Sequence, residues 1–350
     1  MSYASLFAWK RRFPLPPKTL ALIPVWLLLV ACEQTLERAV FDGQTMGTTY
    51  RITLSTERPI TENVSAGLAA EFERKLIYIN SLMSNYDPAS EISRFNAGEA
   101  GRCQAVSAET HAVIEQSKIL FVKTNGAFDP TVGPLVNLWG FGPQSRASNL
   151  PDPQSVALTL LQTGFDAIKS GCADDGLLKA THREIDLSAI AKGFAVDYLS
   201  DWLIEGGYHN HLVEIGGEIK ATGRSPSGQA WKVGIERPNQ QRRQLHQVVN
   251  LTNLSMATSG DYRNFFVVEG NRYSHTIDPR TGYPVTHQVA SVTVIHPSAT
   301  MADGWATALN VMGRNSGMAL AEKEGLAVLM LEYDEGALVP YASKAFTALF

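Results

Sequence analysis

Residues 255–285 read SMATSGDYRNFFVVEGNRYSHTIDPRTGYPV, and after an apolar run residues 296–313 read HPSATMADGWATALNVMG. The first part is expected to open with a small-residue loop, Ser255 to Gly260, that leaves backbone amides accessible and ends in the acidic turn Gly260-Asp261. A β-hairpin follows, whose second arm carries His275 into the tight turn Asp278-Pro279-Arg280-Thr281-Gly282. The last part is a helix with Asp303 and Thr307 at i and i+4, which places both side-chain oxygens on one face. Met301, Trp305, Leu309 and Met312 form the apolar stripe behind them. A hard cation such as Mg²⁺ takes oxygen ligands of this kind, usually beside substrate phosphates. An Asp near a helix start also complements the helix dipole, so at this point both readings of Asp303 stand.

Working outward, strands at 290–296, 326–333 and 337–341 enclose a final helix at 316–324. Upstream lie strands at 211–222, 231–236 and 246–252, with Gly216-Gly217 marking a bulge or a close backbone approach. The segment Ile185-Asp186-Leu187-Ser188-Ala189-Ile190-Ala191-Lys192-Gly193 reads as a strand from 177 ending in Asp186, a Ser188 cap, and a helix running to Gly206-Gly207. An acid and a lysine at a strand-to-helix switch suit phosphate or metal, and suit a salt-bridged cap equally well. Residues 126–142, GAFDPTVGPLVNLWGFG, are rich in Gly and aromatics and poor in charge. Such a loop must be packed or functional, because its backbone amides need partners.

Closer to the N-terminus, Tyr50, Ile52 and Leu54 alternate with polar residues as in a half-buried strand, entered through Met46-Gly47. Residues 61–82 have helical spacing with Thr61 as N-cap, and Ser107 caps a second helix to Lys123. Tyr86 sits where the first of these helices gives way to Asp87-Pro88; it serves either as a cap on the core or as a flat face for a planar ligand. A short helix is expected at 155–162. Strand pairs interleaved with helix pairs predict an α+β fold, with mixed or antiparallel sheets, hairpins and packed helices, rather than a doubly wound parallel sheet.

The chain has 350 residues, 45% hydrophobic and 18% charged, as expected of one large or two modest globular domains. Residues 142–154, full of Pro, Ser and Asn, are the place for an internal subdivision. The net charge of −4 gives no support for a nucleic-acid partner. Residues 1–31 read as a targeting segment: a basic lead of Lys10, Arg11, Arg12 and Lys18, then an apolar stretch from Leu20 to Ala31 too short for a standard transmembrane span. It ends in Leu29-Val30-Ala31-Cys32, which resembles a bacterial lipobox with Cys32 as the acylated residue. A lipid-anchored protein outside the cytoplasm is expected, with 32–43 as its tether. Cys103 and Cys172 would be free to pair in that compartment, and the sequence leaves their pairing open.

No Gly-x-x-x-x-Gly-Lys-Ser/Thr, Gly-x-Gly-x-x-Gly after a strand, Gly-x-Ser-x-Gly or His-Glu-x-x-His occurs, which argues against P-loop NTPases, dinucleotide folds, common serine hydrolases and zincins. Oxygen ligands, one well-placed His, Gly-rich loops and loop aromatics remain. Together they suit a phosphorylated planar ligand held with a hard cation.

The motifs QTMGTTY, MSNYDPASEISRFN, GAFDPTVGPLVNLWGFG, IDLSAIAKGFAVD, HLVEIGGEIKATG, TSGDY, YSHTIDPRTGYPV and ADGWATAL, in this order over about 44–315, resemble the ApbE family of FAD:protein FMN transferases. The resemblance implies a T-fold-like α+β domain over 44–350. It also implies an enzyme that splits FAD with Mg²⁺, links FMN to Thr or Ser of a flavoprotein acceptor such as a subunit of a membrane redox pump, and releases AMP. By the same resemblance Met46, Tyr86, Ala127, Phe128, Asp129, Asp186, Lys192 and Ile277 would bind FAD. Mg²⁺ would lie between Asp303, Thr307 and the carbonyl of Ala189, and His275 is the candidate base for the acceptor hydroxyl, since His titrates near neutral pH. A lipid anchor in the periplasm, at the inner membrane, agrees with that family. Two alternatives use the same residues: an FAD pyrophosphatase giving free FMN, and a non-catalytic FAD-binding lipoprotein.

Overall fold

The structure is a computed structural model, and it describes residues 36–142, 150–173, 176–238, 244–260 and 265–350. The targeting segment, Cys32 and Asp261 lie outside these residues.

In chain order the elements are β1 (Glu37–Thr45), β2 (Thr48–Thr56), α1 (Glu62–Met83), α2 (Glu91–Ala97), β3 (Cys103–Gln104), α3 (Ala108–Lys123), α4 (Gly133–Leu138), α5 (Pro153–Leu160), β4 (Ile168–Cys172), β5 (Gly176–Lys179), α6 (Ala191–Glu205), β6 (His211–Ile215), β7 (Glu218–Thr222), β8 (Trp231–Arg237), β9 (Gln244–Leu251), β10 (Leu254–Gly260), β11 (Phe265–Val268), β12 (Asn271–Ser274), β13 (Val289–His296), α7 (Ala299–Glu324), β14 (Ala327–Asp334), β15 (Ala337–Ala342) and α8 (Lys344–Ala348). Eight strands form one sheet in the order β1-β2-β6-β7-β10-β13-β14-β15, with every neighbouring pair antiparallel. The α+β expectation holds.

One face of this sheet carries the main core. Ile52, Leu54, Val213, Ile215, Val292 and Val294 meet Phe72 and Leu76 of α1, Val196 and Leu199 of α6, and Trp305 and Leu309 of α7. Their period-2 and helical spacings are the reason these segments fold as they do. The opposite face is covered by the β8–β9 hairpin and α8, through Trp231, Val233, Val249 and Phe346. A third cluster joins the aromatic loop to the hairpin: Leu135, Trp139, Val156 and Ile277 are its buried members, with Phe141, Phe266 and Tyr273 against them.

Several expectations need correction. Residues 37–43, read as tether, form most of the edge strand β1, paired with β2 from Glu37↔Thr56 to Thr45↔Thr48; its outward polar residues hid it. Ser255–Gly260 is no open loop but strand β10, whose small residues let α7 lie across it. The strand expected at 177–186 stops at Lys179. Gly216-Gly217 is no bulge: both residues have positive φ and make the two-residue turn between β6 and β7, which glycine allows without a Cβ clash. Ser188 does not cap α6, whose N-cap position is Ile190. The helix at 316–324 is the second limb of α7, bent at Gly313 with φ 70°. Nor does α7 have a single apolar stripe: Ala302, Gly304, Ala306 and Ala308 are buried along with Trp305 and Leu309, because the helix is central.

Other readings hold. Ser107 accepts the Thr110 N–H as N-cap of α3, whereas Thr61 stands before α1 without a side-chain cap bond. Cys103 and Cys172 are joined by a disulfide that ties β3 to the β4–β5 hairpin. The described residues, from 36 onward, fall in one compact unit.

Candidate functional site

Two glycines bring the site together. At Gly193 of α6 a Cβ would lie 2.3 Å from Ala299 O and 2.8 Å from Asp303 Cβ, so α6 and α7 touch backbone to backbone. At Gly304 of α7 a Cβ would lie 2.2 Å from Leu120, 3.4 Å from Phe128 and 3.6 Å from Ile190. The residue after Asp303 is thereby pressed against the aromatic loop and against the segment that includes Ala189. The His275 segment reaches the same helix through Asn310, whose amide donates to Thr276 Oγ1 and to Ser259 Oγ at 3.4 Å. Asn310 lies one turn beyond Thr307.

Asp303 is buried and its Oδ2 accepts the Gly193 N–H at 3.0 Å. Lys192 Nζ lies 3.8 Å from Asp303 Oδ1 and 3.2 Å from Glu218 Oε1. The cluster therefore holds one ammonium and two buried carboxylates. Burial pushes Glu218 up to about 8 against the pull of Lys192, and burial likewise raises Asp303. Burial by itself would lower Lys192, but Asp303 and Glu218 outweigh it and hold the ammonium charged. Glu218 Oε2 is buried without a hydrogen-bond partner. A buried carboxyl oxygen left without a partner beside a second carboxylate is the kind of donor a hard cation takes. Among the described residues no group of three or more His, Cys, Asp or Glu could hold a metal. A cation at Asp303 would have to draw on hydroxyl and carbonyl oxygens, which the Thr307 side chain and the Ala189 backbone carry.

Ala127, Phe128 and Asp129 are buried. The carboxylate of Asp129 accepts from Thr131 N and Thr131 Oγ1 of the same loop at 2.7 and 2.6 Å and from Phe165 N beyond it at 3.3 Å; burial raises its pKa. Asp186 accepts from the Ser188 N–H and hydroxyl at 2.9 and 2.5 Å and donates its own N–H to Pro130 O at 2.7 Å, so the aromatic loop and the Asp186 turn are fastened together. Ile277 is buried and bridges to Pro284. The turn after it closes through Gly282 N to Asp278 O at 2.8 Å and an Asp278–Arg280 ion pair. Trp139 Nε1 donates to Gly282 O at 2.8 Å, and the Phe141 ring meets His275 edge-on at 6.2 Å.

Tyr86 is 70% exposed, so it presents a face rather than capping the core. It reaches the centre indirectly: the neighbouring Asn85 donates to Ile185 O at 2.9 Å, as does Asn96. Met46 stands at positive φ in the β1–β2 turn, packed against the main core. Direct contacts thus join Lys192, Gly193, Glu218 and Asp303, fasten the Ala127–Asp129 loop to the Asp186 turn and to α7, and tie the segment of His275 and Ile277 to α7 through Asn310, while Tyr86 stands exposed and Met46 lies in the β1–β2 turn. Sequence reasoning missed Glu218, Gly193, Gly304 and Asn310. The one available signal was a Glu directly after Gly216-Gly217.

This architecture is that of solved flavin transferases. The Vibrio cholerae flavin transferase ApbE superposes with a TM-score of 0.82 at 40% identity, covering 90% of this chain and 100% of that one. The apo flavinyl transferase ApbE of Pseudomonas stutzeri gives 0.82 at 38% identity, over 90% and 97%. Among curated relatives, the FAD:protein FMN transferase of Haemophilus influenzae is 39% identical over 331 residues, 92% of this chain and 94% of that one. The ApbE family model matches residues 46–330, and the chain belongs to the ApbE family.

Proposed function

We propose that this chain is a Mg²⁺-dependent FAD:protein FMN transferase, which moves the FMN half of FAD onto a Thr or Ser hydroxyl of an acceptor flavoprotein and releases AMP. The reading is supported by relatives that carry this name along nearly their whole length. The observation that carries it is the buried Lys192–Glu218–Asp303 cluster, which lies where α6, α7 and the aromatic loop converge.

Asp303, Thr307 and the Ala189 carbonyl would hold Mg²⁺, with Lys192 beside the diphosphate. Mg²⁺ bound there would neutralise charge on the diphosphate and favour departure of AMP. The protein's own contribution is positioning and proton handling. The acceptor oxygen forms a bond to the FMN phosphorus as the bond to the AMP oxygen breaks. His275, held on the hairpin by Phe141 and the Trp139–Gly282 bond, takes the hydroxyl proton. Tyr86 offers its exposed ring to a planar part of the dinucleotide.

The Cys103–Cys172 disulfide favours a periplasmic location, and a lipid on Cys32 would anchor the chain at the inner membrane. Incubation with FAD, Mg²⁺ and a flavoprotein subunit of a membrane redox pump should give covalent in-gel flavin fluorescence on the acceptor. Chelation or Asp303→Ala should abolish it. Free FMN with an unlabelled acceptor would replace this reading by the pyrophosphatase, and retained FAD without AMP by the carrier.

A further inference from the structure

We propose that Glu218 is a positioning residue: its carboxylate holds the Lys192 ammonium toward the dinucleotide and away from Asp303, keeping the Asp303 oxygen available. The substrate in this statement rests on the transferase reading; the residue is assigned by geometry.

Glu218 opens β7 directly after the Gly216-Gly217 turn, and its carboxylate folds back over that turn. A Cβ at Gly216 would lie 3.4 Å from Glu218 Oε2 and 2.8 Å from the Thr48 side chain. The residue is only 4% exposed, while the Lys192 side chain remains 28% exposed. An ion pair with a buried acid and a partly open base aims the base outward. A second bridge joins the same two elements, with Lys220 Nζ 2.8 Å from Asp197 Oδ1. There the acid is fully occupied, accepting also from Ser298 Oγ, Ala299 N and Thr300 N and Oγ1 at the start of α7. That bridge completes a helix start. The Glu218 bridge is incomplete, with Oε2 unpartnered.

The distances also order the competition for the ammonium. Lys192 is closer to Glu218, at 3.2 Å, than to Asp303, at 3.8 Å. Without the Glu218 acceptor, the carboxylate left beside the ammonium among the described residues is Asp303, and the lysine would settle there. An incoming cation would then have to displace it.

The test uses full-length protein carrying Glu218→Gln, Glu218→Asp, Lys192→Met and the Glu218→Gln/Lys192→Met pair. FAD affinity is read from flavin fluorescence without metal, and Mg²⁺ demand from AMP release, which transferase and pyrophosphatase share. Glu218→Gln should weaken FAD binding about tenfold, the scale of one charge-assisted hydrogen bond, and raise the Mg²⁺ concentration giving half-maximal AMP release. On the Lys192→Met background the same change should do neither, and Glu218→Asp should recover part of both. Unchanged FAD affinity and Mg²⁺ demand would overturn the proposal, as would effects that multiply independently with Lys192→Met. If Glu218→Gln does not yield folded protein, Glu218→Asp with and without Lys192→Met decides the same question. A protein that passes these tests yet labels no acceptor disproves the transferase reading and leaves the role of Glu218 standing.

Discussion

Gly193 donates its backbone N–H to Asp303 Oδ2 at 3.0 Å while leaving no room for a β-carbon between α6 and α7. One residue thus supplies both a backbone-to-backbone contact of the two helices and a hydrogen bond to the Asp303 carboxylate. Such a bond helps hold a buried acid in its ionised form, and the close approach fixes where its second oxygen points.

Gly193→Ala should therefore damage the site more than its size suggests. The added methyl meets backbone at Ala299 O, which cannot rotate away, so the helices must part. Overpacking of this kind costs about 1–3 kcal/mol, and a shift near 1 Å in the Asp303 carboxylate costs on the order of a hundredfold in rate if it holds the proposed cation. Turnover with FAD and thermal unfolding check this together. A variant as stable and as active as the parent would show that the two helices are not set by this contact.

How much of this was legible follows from the range of each signal. The His275 hairpin, the Asp278–Gly282 turn and the Ser107 cap declare themselves within a few residues, because turn and cap chemistry is local. The Lys192–Glu218–Asp303 cluster does not, since its members come from α6, β7 and α7 and only packing brings them together. Asp186 looked like the end of a strand because Ile185 and Leu187 are apolar, yet both are buried in an irregular segment held by Asn85 and Asn96. Strand β1 was hidden because an edge strand with one buried face and charged residues such as Arg38 and Asp42 reads as a polar tether. The small residues of β10 and α7 were legible as composition only; their purpose, close contact between strand and helix, appears once the helix is seen to be buried on nearly all sides.

The aromatic loop makes a second prediction. Trp139 Nε1 reaches Gly282 O across 143 residues of sequence, and its ring stacks on Tyr273 at 5.8 Å in the hairpin arm leading to His275. Trp139→Phe keeps much of the apolar contact and removes the donor, leaving the Gly282 carbonyl without its partner at a cost of about 1–3 kcal/mol. His275, the base proposed above, should be less well placed, so kcat for FMN transfer should fall about tenfold with little change in FAD affinity. Equal loss in both quantities would mean that the loop serves FAD binding rather than His275.

The disulfide gives a third. Cys103 and Cys172 close a loop of 69 residues, and on the chain-entropy account a loop of that length contributes about 4 kcal/mol. Dithiothreitol, or the Cys103→Ser/Cys172→Ser pair, should lower the urea midpoint while leaving FAD turnover at low temperature intact, because the bridge lies in the β3–β5–β4 sheet, which is separate from the eight-stranded sheet. If reduction abolished turnover without lowering stability, the bridge would belong to the site and not to the scaffold.

Acid sensitivity should trace to His211, which is fully buried between the Ser200 hydroxyl at 2.7 Å from Nε2 and the Tyr208 carbonyl at 2.7 Å from Nδ1. A neutral ring fits both, donating from Nδ1 and accepting at Nε2. Burial lowers its pKa to about 4, helped by Lys220 and His209 and opposed by the Tyr208 bond. The unfolded chain takes up this proton near pH 6.5 while the folded chain refuses it until about pH 4. The folded state is thus favoured fully above 6.5 and loses that advantage as pH falls, by roughly 2 kcal/mol between pH 7 and pH 5. Glu218 acts in the opposite sense, because its raised pKa makes the folded state bind the extra proton between its ordinary range and about 8. The informative quantity is therefore the difference between parent and His211→Gln in urea unfolding at the two pH values. The variant should be less stable at pH 7 and show a shallower decline toward pH 5; parallel declines would place the acid-sensitive group elsewhere.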